Sequence, residues 1–307
     1  MIINKIFRSI HVLTIVYIAL ITVSAGCKKS VDTQSSTNDT YRLDSVVSTS
    51  SGITSSLHFI YDGQDRVIED RYQVGDTLEE RYVYEYSGSD SVPFRKKHYT
   101  RLSLSPDAIS VFQYNSNKQK LYDSTYFPTG TDHVVIKINY YASNRIAVLE
   151  DIAFNTPVAH NWLTDTLYLG NSGQLDSLRV YNGTSQSIFG SWRYWYTQKF
   201  TQFDSRQSIF ANLSSSKCNI YPMYINNNFG MFTTERFFPV VDYYNQFNCG
   251  KISTDISLPS GYGPYTVLDK QFHFNVDNMP TGLTQVYTYV YNGSNYSTTN
   301  DYRFVYQ

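Results

Sequence analysis

The residue types that most often carry catalysis occur in this sequence, but not at the spacings of known catalytic or metal-binding motifs. Five histidines follow residue 27, and none pairs with another at a metal-ligand spacing. The chain has no G-x-S-x-G nucleophile motif and no glycine loop suited to a phosphate. Neighbours on a strand point to opposite faces, so no adjacent acid pair is a dyad by itself; these pairs are Glu69-Asp70, Glu79-Glu80 and Glu150-Asp151.

Charge and motif content together exclude several classes of protein. The chain has 307 residues with 25 Lys or Arg and 26 Asp or Glu, so it has no positive excess for a nucleic acid. We expect a protein that is not an enzyme and that uses no cofactor or metal. Carboxylates distant in sequence can still converge, as they do in glycosidases, so catalysis is the third hypothesis after binding and scaffolding.

An aromatic run is the strongest candidate for ligand binding. It concentrates two of the three Trp of the chain between Ser191 and Tyr196. On a strand, Trp192, Tyr194 and Tyr196 share one face, and such a flat row can stack on sugar rings or other apolar ligands. The alternative is ordinary cross-strand aromatic packing, in which each pair contributes a few tenths to about 1 kcal/mol.

Residues 1–26 have the pattern of an export signal. A positively charged start is followed by a short apolar run, Ile10–Val23, which is shorter than the roughly 20 residues that a membrane-spanning helix needs. Small residues then stand immediately before Cys27 and resemble the lipobox of bacterial lipoproteins. The resemblance implies cleavage before Cys27, diacylglycerol on its sulfur and an acyl group on its new amine. Ordinary cleavage after Ala25 and an uncleaved anchor are the alternatives.

The stretch that follows Cys27 predicts a flexible tether. Residues 28–40 contain a single large apolar side chain, Val31, and cannot bury enough surface to become ordered. A coil of this length spans on the order of 20 Å. We therefore expect an exported protein, held by lipid on Cys27 in the cell envelope, with the outer membrane of a Gram-negative bacterium as the favoured location and a glycan or an envelope protein as the partner.

From residue 41 onward, the apolar pattern alternates with period two. Tyr82, Tyr84 and Tyr86 fall on one face of a strand, and Tyr302 and Phe304 repeat this pattern near the C-terminus. Aromatic or apolar residues followed by a polar turn recur at intervals of one hairpin, at Tyr61, Tyr86, Tyr114, Tyr140 and Leu169. This pattern predicts an all-β fold, an antiparallel up-and-down meander of successive hairpins that forms a curved sheet or a barrel.

The motif Tyr-Asp-x-x-x-Arg-Val at Tyr61–Val67 resembles the YD-type repeats of secreted bacterial β proteins. With the signal and the tether, the chain is similar to an uncharacterised group of exported bacterial lipoproteins with a porin-like β fold; Phe203–Phe210 and Asp277–Thr281 are similar to late segments of that group. The resemblance implies the fold and assigns no activity. A membrane-embedded barrel is an alternative, but the strands show no clean lipid-facing band.

A single β domain is expected over residues 41–307, with an irregular segment at about 204–265. Several prolines and an Asn run interrupt the alternation there, and the segment contains Cys218 and Cys249. An exported chain can pair two such residues. A disulfide closing about 32 residues would contribute roughly 3–4 kcal/mol. Two buried free thiols are the alternative.

Two functions from different classes fit these features. One is a non-enzymatic envelope lipoprotein whose β domain binds a ligand, a glycan or a partner protein. The other is a lipoprotein that only supports an envelope assembly. Asp-Ser/Thr-aliphatic triplets also resemble O-glycan acceptor sites of some exported bacterial proteins, with polar residues at strand starts as the alternative; they begin at Asp44, Asp76, Asp90, Asp165 and Asp176.

Overall fold

Sixteen antiparallel strands close into a barrel in the computed structural model of the chain. Residues 41–307 are described, except 51, 102, 131–132, 154–159, 171–172, 185–193, 219–244, 258–265 and 292–293. The predictions for residues 1–40, including lipidated Cys27, lie outside this part of the chain. Residues 42–307 form one unit, and among the described residues no helix is long and apolar enough to cross a membrane.

The strands follow one another around the barrel in chain order, and β16 pairs with β1 to close it. This confirms the all-β meander of hairpins expected from the sequence and shows that the sheet closes. The strands are β1 (Leu43–Ser50), β2 (Ile53–Tyr61), β3 (Val67–Val74), β4 (Thr77–Glu85), β5 (Arg95–Thr100), β6 (Ala108–Tyr114), β7 (Lys120–Tyr126), β8 (His133–Tyr141), β9 (Arg145–Ala153), β10 (His160–Leu169), β11 (Leu175–Thr184), β12 (Tyr194–Gln207), β13 (Phe247–Ser257), β14 (Thr266–Phe274), β15 (Pro280–Tyr291) and β16 (Ser294–Tyr306).

The wall has a buried inner face and a more exposed outer face. On β8, Ile136 and Ile138 are buried, whereas Lys137 and Asn139, which alternate with them, are exposed. The same alternation appears on other strands because successive side chains point to opposite sides of a strand. The inner side chains form two apolar clusters, one around β1–β4 and β15–β16 and the other around β8–β13.

Several turns at one end of the barrel share a geometry centred on an Asp or Asn side chain. Asp62 Oδ1 accepts hydrogen bonds from the backbone N–H groups of Gln64 and Arg66, at 2.8 and 3.0 Å. Asn115 and Asn275 make the equivalent pair of bonds in their turns. Each of these turns also has one residue with positive φ, at Asp65, Lys118 and Asn278. Asp and Asn suit these positions because their side chains satisfy the local backbone.

Tyrosines at the ends of even-numbered strands fasten this end of the wall. Each hydroxyl donates a hydrogen bond of 2.6–3.0 Å to a backbone carbonyl near the start of the preceding odd-numbered strand. Burial raises the pKa of four of these hydroxyls above the ordinary value, which keeps the proton on the donor. Leu169 occupies such a position without a hydroxyl. The bonds join Tyr61 to Leu43, Tyr86 to Val67, Tyr114 to Pro93, Tyr140 to Lys120 and Tyr306 to Pro280.

The connection from β12 to β13 begins by entering the barrel at the same end. We call residues 208–218 the plug and this end of the barrel the plug end. Phe210 is buried and packs edge-on against Phe304 of β16, with 5.9 Å between ring centroids. Ser214 Oγ accepts a hydrogen bond from the N–H of Val67 at 2.8 Å. The plug therefore contacts β16 and β3 from inside the wall.

A buried lysine holds the last residue of the plug. Lys120 of β7 has no exposed side-chain surface, and its Nζ donates to the carbonyl of Cys218 at 2.6 Å. The same Nζ lies 3.1 Å from Asp123 Oδ2 and 5.2 Å from the centre of the Phe112 ring. The plug is thus anchored to β7 by a charge that is itself paired and hydrogen-bonded.

Two expectations about this part of the chain need correction. Cys218 and Cys249 are separate buried thiols rather than a disulfide. Cys218 belongs to the apolar cluster around β1–β4, beside Lys120, whereas Cys249 on β13 belongs to the other cluster. The segment at 204–265 is also less irregular than expected, because β12 extends to Gln207 and Phe247–Ser257 forms β13.

Replacing Tyr86 by Phe should lower the free energy of unfolding by about 1–2 kcal/mol, because the hydroxyl contacts both the Val67 carbonyl and Ser214 Oγ. Tyr126→Phe on the outer face, where the residue is 43% exposed, is the matched control and should change it by less than about 0.5 kcal/mol. Urea unfolding followed by circular dichroism measures both. Equal losses for the two variants would contradict a structural role for the Tyr86 hydroxyl.

Lys120→Met should destabilise the barrel by about 3–5 kcal/mol, because it leaves Asp123 buried without its cation and the Cys218 carbonyl without its donor. Lys118→Met removes a lysine two residues away that pairs with Asp90 in solvent, and should cost at most about 1 kcal/mol. Denaturant unfolding compares the two. Similar small losses would show that Lys120 does not hold the plug.

Candidate functional site

Charged and aromatic side chains meet on the inner wall formed by β3, β4 and β5. We call Asp70, Glu80, Lys96 and His98, together with Tyr82 and Tyr84, the inner charge cluster. The strand register places Asp70 opposite Tyr82 and Tyr82 opposite His98. The neighbouring row pairs Tyr84 with Lys96. Because partners across a ladder share a face, these side chains all point to the inside of the barrel.

Asp70 is the most deeply buried acid of the cluster, at 2% exposure. The Tyr84 hydroxyl donates to its Oδ2 at 2.7 Å. Its Oδ1 is buried and has no hydrogen-bond partner in the described structure. Burial raises the pKa of Asp70 to about 7, while the Tyr84 hydrogen bond and the charge of Lys96 act in the opposite direction. Asp70 is therefore an acceptor with one unused oxygen.

Glu80 and His98 form the second half of the cluster. Tyr82 donates to Glu80 Oε2 at 3.3 Å, and His98 Nε2 lies 3.5 Å from the same oxygen. The His98 ring stacks on the Tyr82 ring at 4.7 Å between centroids, and Lys96 Nζ lies 5.4 Å from the centre of that ring. Two carboxylates, two nitrogen bases and two phenols thus line one patch of the wall.

The cluster lies between the filled plug end and the opposite end, which we call the open end. Side-chain exposure rises toward the open end along the inner face. The Glu80 side chain is 16% exposed, and its cross-strand partner Thr100 is more exposed. On the opposite side of the barrel, inward-facing Thr298 is also exposed, whereas Leu283 deeper on the adjacent strand is fully buried. Among the described residues, exposure along the inner face therefore increases with distance from the plug.

A second buried acceptor lies on the other side of the barrel. Gln198 on β12 faces inward beside the buried Leu178 and donates through Nε2 to Thr254 Oγ1 at 3.2 Å. Its Oε1 is buried and has no hydrogen-bond partner in the described structure. The inner wall thus presents unused acceptor atoms at two separate places.

The outer face of the same wall carries paired charges. Arg71 contacts Glu69 at 2.6 Å and Arg95 contacts Glu85 at 2.8 Å, both on β3–β5. On β13 and β14, a further ion pair joins Lys251 to Asp269. A lipid-facing barrel surface is an apolar band, and a Lys or Arg at the bilayer midplane costs about 2–4 kcal/mol. The described outer side chains of these strands are therefore suited to water rather than to lipid.

The structure describes some of the residues predicted from the sequence and not others. Trp192 lies outside the described residues, and Tyr194 and Tyr196 lie on the first part of β12, so their stacking role stays a prediction. Of the triplets beginning with Asp, the one at Asp44 has a buried serine, Ser45 at 3% exposure, whereas Ser91 after Asp90 is exposed in a connection. The described part of the chain contains no group of three or more His, Cys, Asp or Glu able to hold a metal.

The alternation of side chains in the sequence does not reveal the inner charge cluster. It correctly separated the members of Glu69-Asp70 and Glu79-Glu80 onto opposite faces. It did not identify that the inward members, Asp70 and Glu80, lie diagonally on adjacent strands, two register pairs apart, because this depends on the pairs Asp70–Tyr82 and Tyr72–Glu80. The two acids are ten residues apart, and the turn at 75–76 returns the chain between them.

Solved structures with the same architecture come from Bacteroides. A porin-like protein from Bacteroides vulgatus is similar at 11% identity, with a TM-score of 0.52, covering 87% of this chain and 99% of that one. The chain shares the fold of porin-like proteins. A second, from Bacteroides uniformis, has 10% identity and a TM-score of 0.50, covering 86% and 96%. At these identities the likeness concerns the porin-like fold alone. No protein-family model and no curated protein matches the chain.

Asp70→Asn tests the cost of the buried carboxylate. Because the pKa of Asp70 is raised from 3.8 to about 7, the folded state binds its proton more tightly than the unfolded chain. The contribution of Asp70 to the free energy of unfolding therefore falls as pH rises from about 4 to about 7 and then levels off. The groups acting on it, besides burial, are Tyr84, Lys96, Glu69 and Glu80.

Relative to the wild type, Asp70→Asn should become progressively more stable across this pH range. Urea unfolding of both proteins at several pH values measures the difference. Asp269→Asn, which removes a carboxylate from the outer wall, is the control and should not reproduce the trend. A difference between Asp70→Asn and the wild type that does not change with pH would contradict the raised pKa.

Proposed function

We propose that this chain is an exported, lipid-anchored β-barrel of the cell envelope that binds a ligand through its open end and performs no catalysis. The observation that carries the proposal is the combination of a barrel filled by a plug at one end with a charged outer wall. Such a barrel is suited to binding a ligand rather than to conducting solutes. The ligand is a glycan or an envelope protein.

The plug supports binding over conduction. Sixteen-stranded porins leave an aqueous channel through the barrel. Here Phe210 and Ser214 of the plug occupy the plug end, and Lys120 holds the plug to the wall. The charged outer wall supports a barrel that stands in water, tethered to the membrane rather than inserted in it.

The sequence before residue 41 supports the anchor. The small residues before Cys27 favour lipidation there, and multiple acyl chains give stable anchoring where a single chain binds only marginally. The barrel begins at the plug end, where Arg42 and Gln307 exchange backbone hydrogen bonds. The first residues of the barrel are therefore at the plug end.

Cys27→Ala should abolish incorporation of labelled palmitate and move the protein from the membrane fraction to the aqueous fraction of the envelope. Cys249→Ala, which removes a buried thiol instead, is the control and should remain labelled and membrane-bound. Metabolic labelling and fractionation of cells that express the full chain measure both effects. Retention of Cys27→Ala in the membrane would contradict the lipid anchor and favour an inserted barrel.

Planar-bilayer recordings distinguish binding from conduction. The purified full chain should produce no discrete channels, because the plug occupies one end of the barrel. Stable channels in the wild type would contradict the proposal. Channels that appear only with Lys120→Met would support the plug as the barrier but would contradict a barrel that stands in water.

A further inference from the structure

We propose that the inner charge cluster binds a neutral saccharide, with sugar hydroxyls donating to the unused Asp70 Oδ1 and to Glu80 on the adjacent strand. The inference rests on the proposed ligand-binding function and names the class of ligand. It places the site on β3–β5 rather than on the aromatic run of β12.

The inner charge cluster contains an unsatisfied acceptor, Asp70 Oδ1. Most buried polar side-chain atoms have a hydrogen-bond partner, and each exception needs an explanation such as a ligand or a water. Asp70 is 2% exposed, and its Oδ1 has none in the described structure. Above its pKa of about 7, Asp70 is a carboxylate whose oxygens only accept, so the missing partner is then a donor.

The basic groups beside the two acids favour a neutral ligand. Lys96 acts on Asp70 with a favourable electrostatic interaction, and His98 lies 3.5 Å from Glu80. Each acid therefore already faces a basic group. A metal ion or a second ammonium would be repelled by Lys96, whereas a neutral ligand rich in hydroxyls supplies donors without adding charge.

Tyr72 and Thr100 extend the inner face of the cluster toward the open end. Tyr72 faces Glu80 across the ladder and is half-buried on the inner face. Thr100 continues the same row and is exposed, which extends the polar surface toward the open end. A sugar ring on this row meets Tyr72 and Glu80, and Asp70 lies deeper in the barrel on the same strand as Tyr72. Ligand sites commonly combine apolar walls with a few convergent polar groups.

The test uses the purified full chain and a panel of neutral oligosaccharides: maltotriose, cellotriose, xylotriose and N,N′-diacetylchitobiose. Saturation-transfer NMR identifies the binders, and calorimetric titration measures their affinity. At least one should bind to the wild type. Asp70→Asn should weaken it about tenfold or more, because a hydrogen bond to a charged acceptor is lost. Asp269→Asn on the outer wall should bind as the wild type does.

Stability separates a binding role from a structural one. Because Asp70→Asn removes a buried charge, its melting temperature above neutral pH should rise while saccharide affinity falls, as is common where function requires a destabilised site. A variant that melts lower and binds with unchanged affinity would show that Asp70 only supports the fold.

Other outcomes distinguish a failure of the saccharide site from a failure of the proposed ligand-binding function. Binding that Asp70→Asn leaves unchanged would overturn the site and retain a ligand-binding barrel. Binding only of acidic oligosaccharides or peptides, added as a second panel, would overturn the ligand class alone. No binding by either panel, with Asp70→Asn merely more stable, would indicate that a bridging water satisfies Oδ1; it would overturn the saccharide site and leave an envelope protein as the ligand of the proposed function.

Discussion

The structure depends on how a closed sheet of sixteen strands fills its own interior. Eight strands enclose a space that side chains alone can fill, whereas sixteen leave a channel. This chain meets the constraint by folding the start of its longest connection into one end of the barrel. Phe210 completes the apolar cluster around β1–β4, and the hydroxyl of Ser214 satisfies a backbone N–H of the wall. Toward the opposite end, the described inner side chains of Thr100 and Thr298 are polar and exposed.

Filling one end with backbone requires polar partners inside the barrel. The carbonyl of Cys218 is satisfied by Lys120, and the charge of Lys120 is satisfied in turn by Asp123. The tyrosines at the plug end perform the same task for the wall, since Tyr86 contacts both a strand carbonyl and the plug. The high tyrosine content therefore has a local explanation, because an apolar ring and a donating hydroxyl are needed together at these positions.

The two faces of the wall divide structure from function. Outside, opposite charges pair in solvent and contribute little to stability. Inside, the same residue types are buried, where an unpaired acceptor is costly and a pKa shifts. Asp70 and Glu69 are neighbours in sequence, yet Glu69 forms an exposed-face pair with Arg71 while Asp70 binds Tyr84 in the interior. The energetic cost of burying the unpaired Oδ1 of Asp70 is the physical basis for assigning the ligand to the inner charge cluster.

Alternation of side chains and recurring turns determined from sequence alone that the chain is an antiparallel meander, because strand period and Asp or Asn turn chemistry are local properties. The same reasoning assigned Tyr61 and Tyr86 to strand ends. Closure of the barrel, the position of the plug and the fate of Cys218 depended on tertiary structure, because each requires contacts between residues far apart in sequence. The inner charge cluster also depended on tertiary structure, because strand register decides that Asp70 and Glu80 share the inner face. A shift of one residue would move Asp70 from the interior to the solvent.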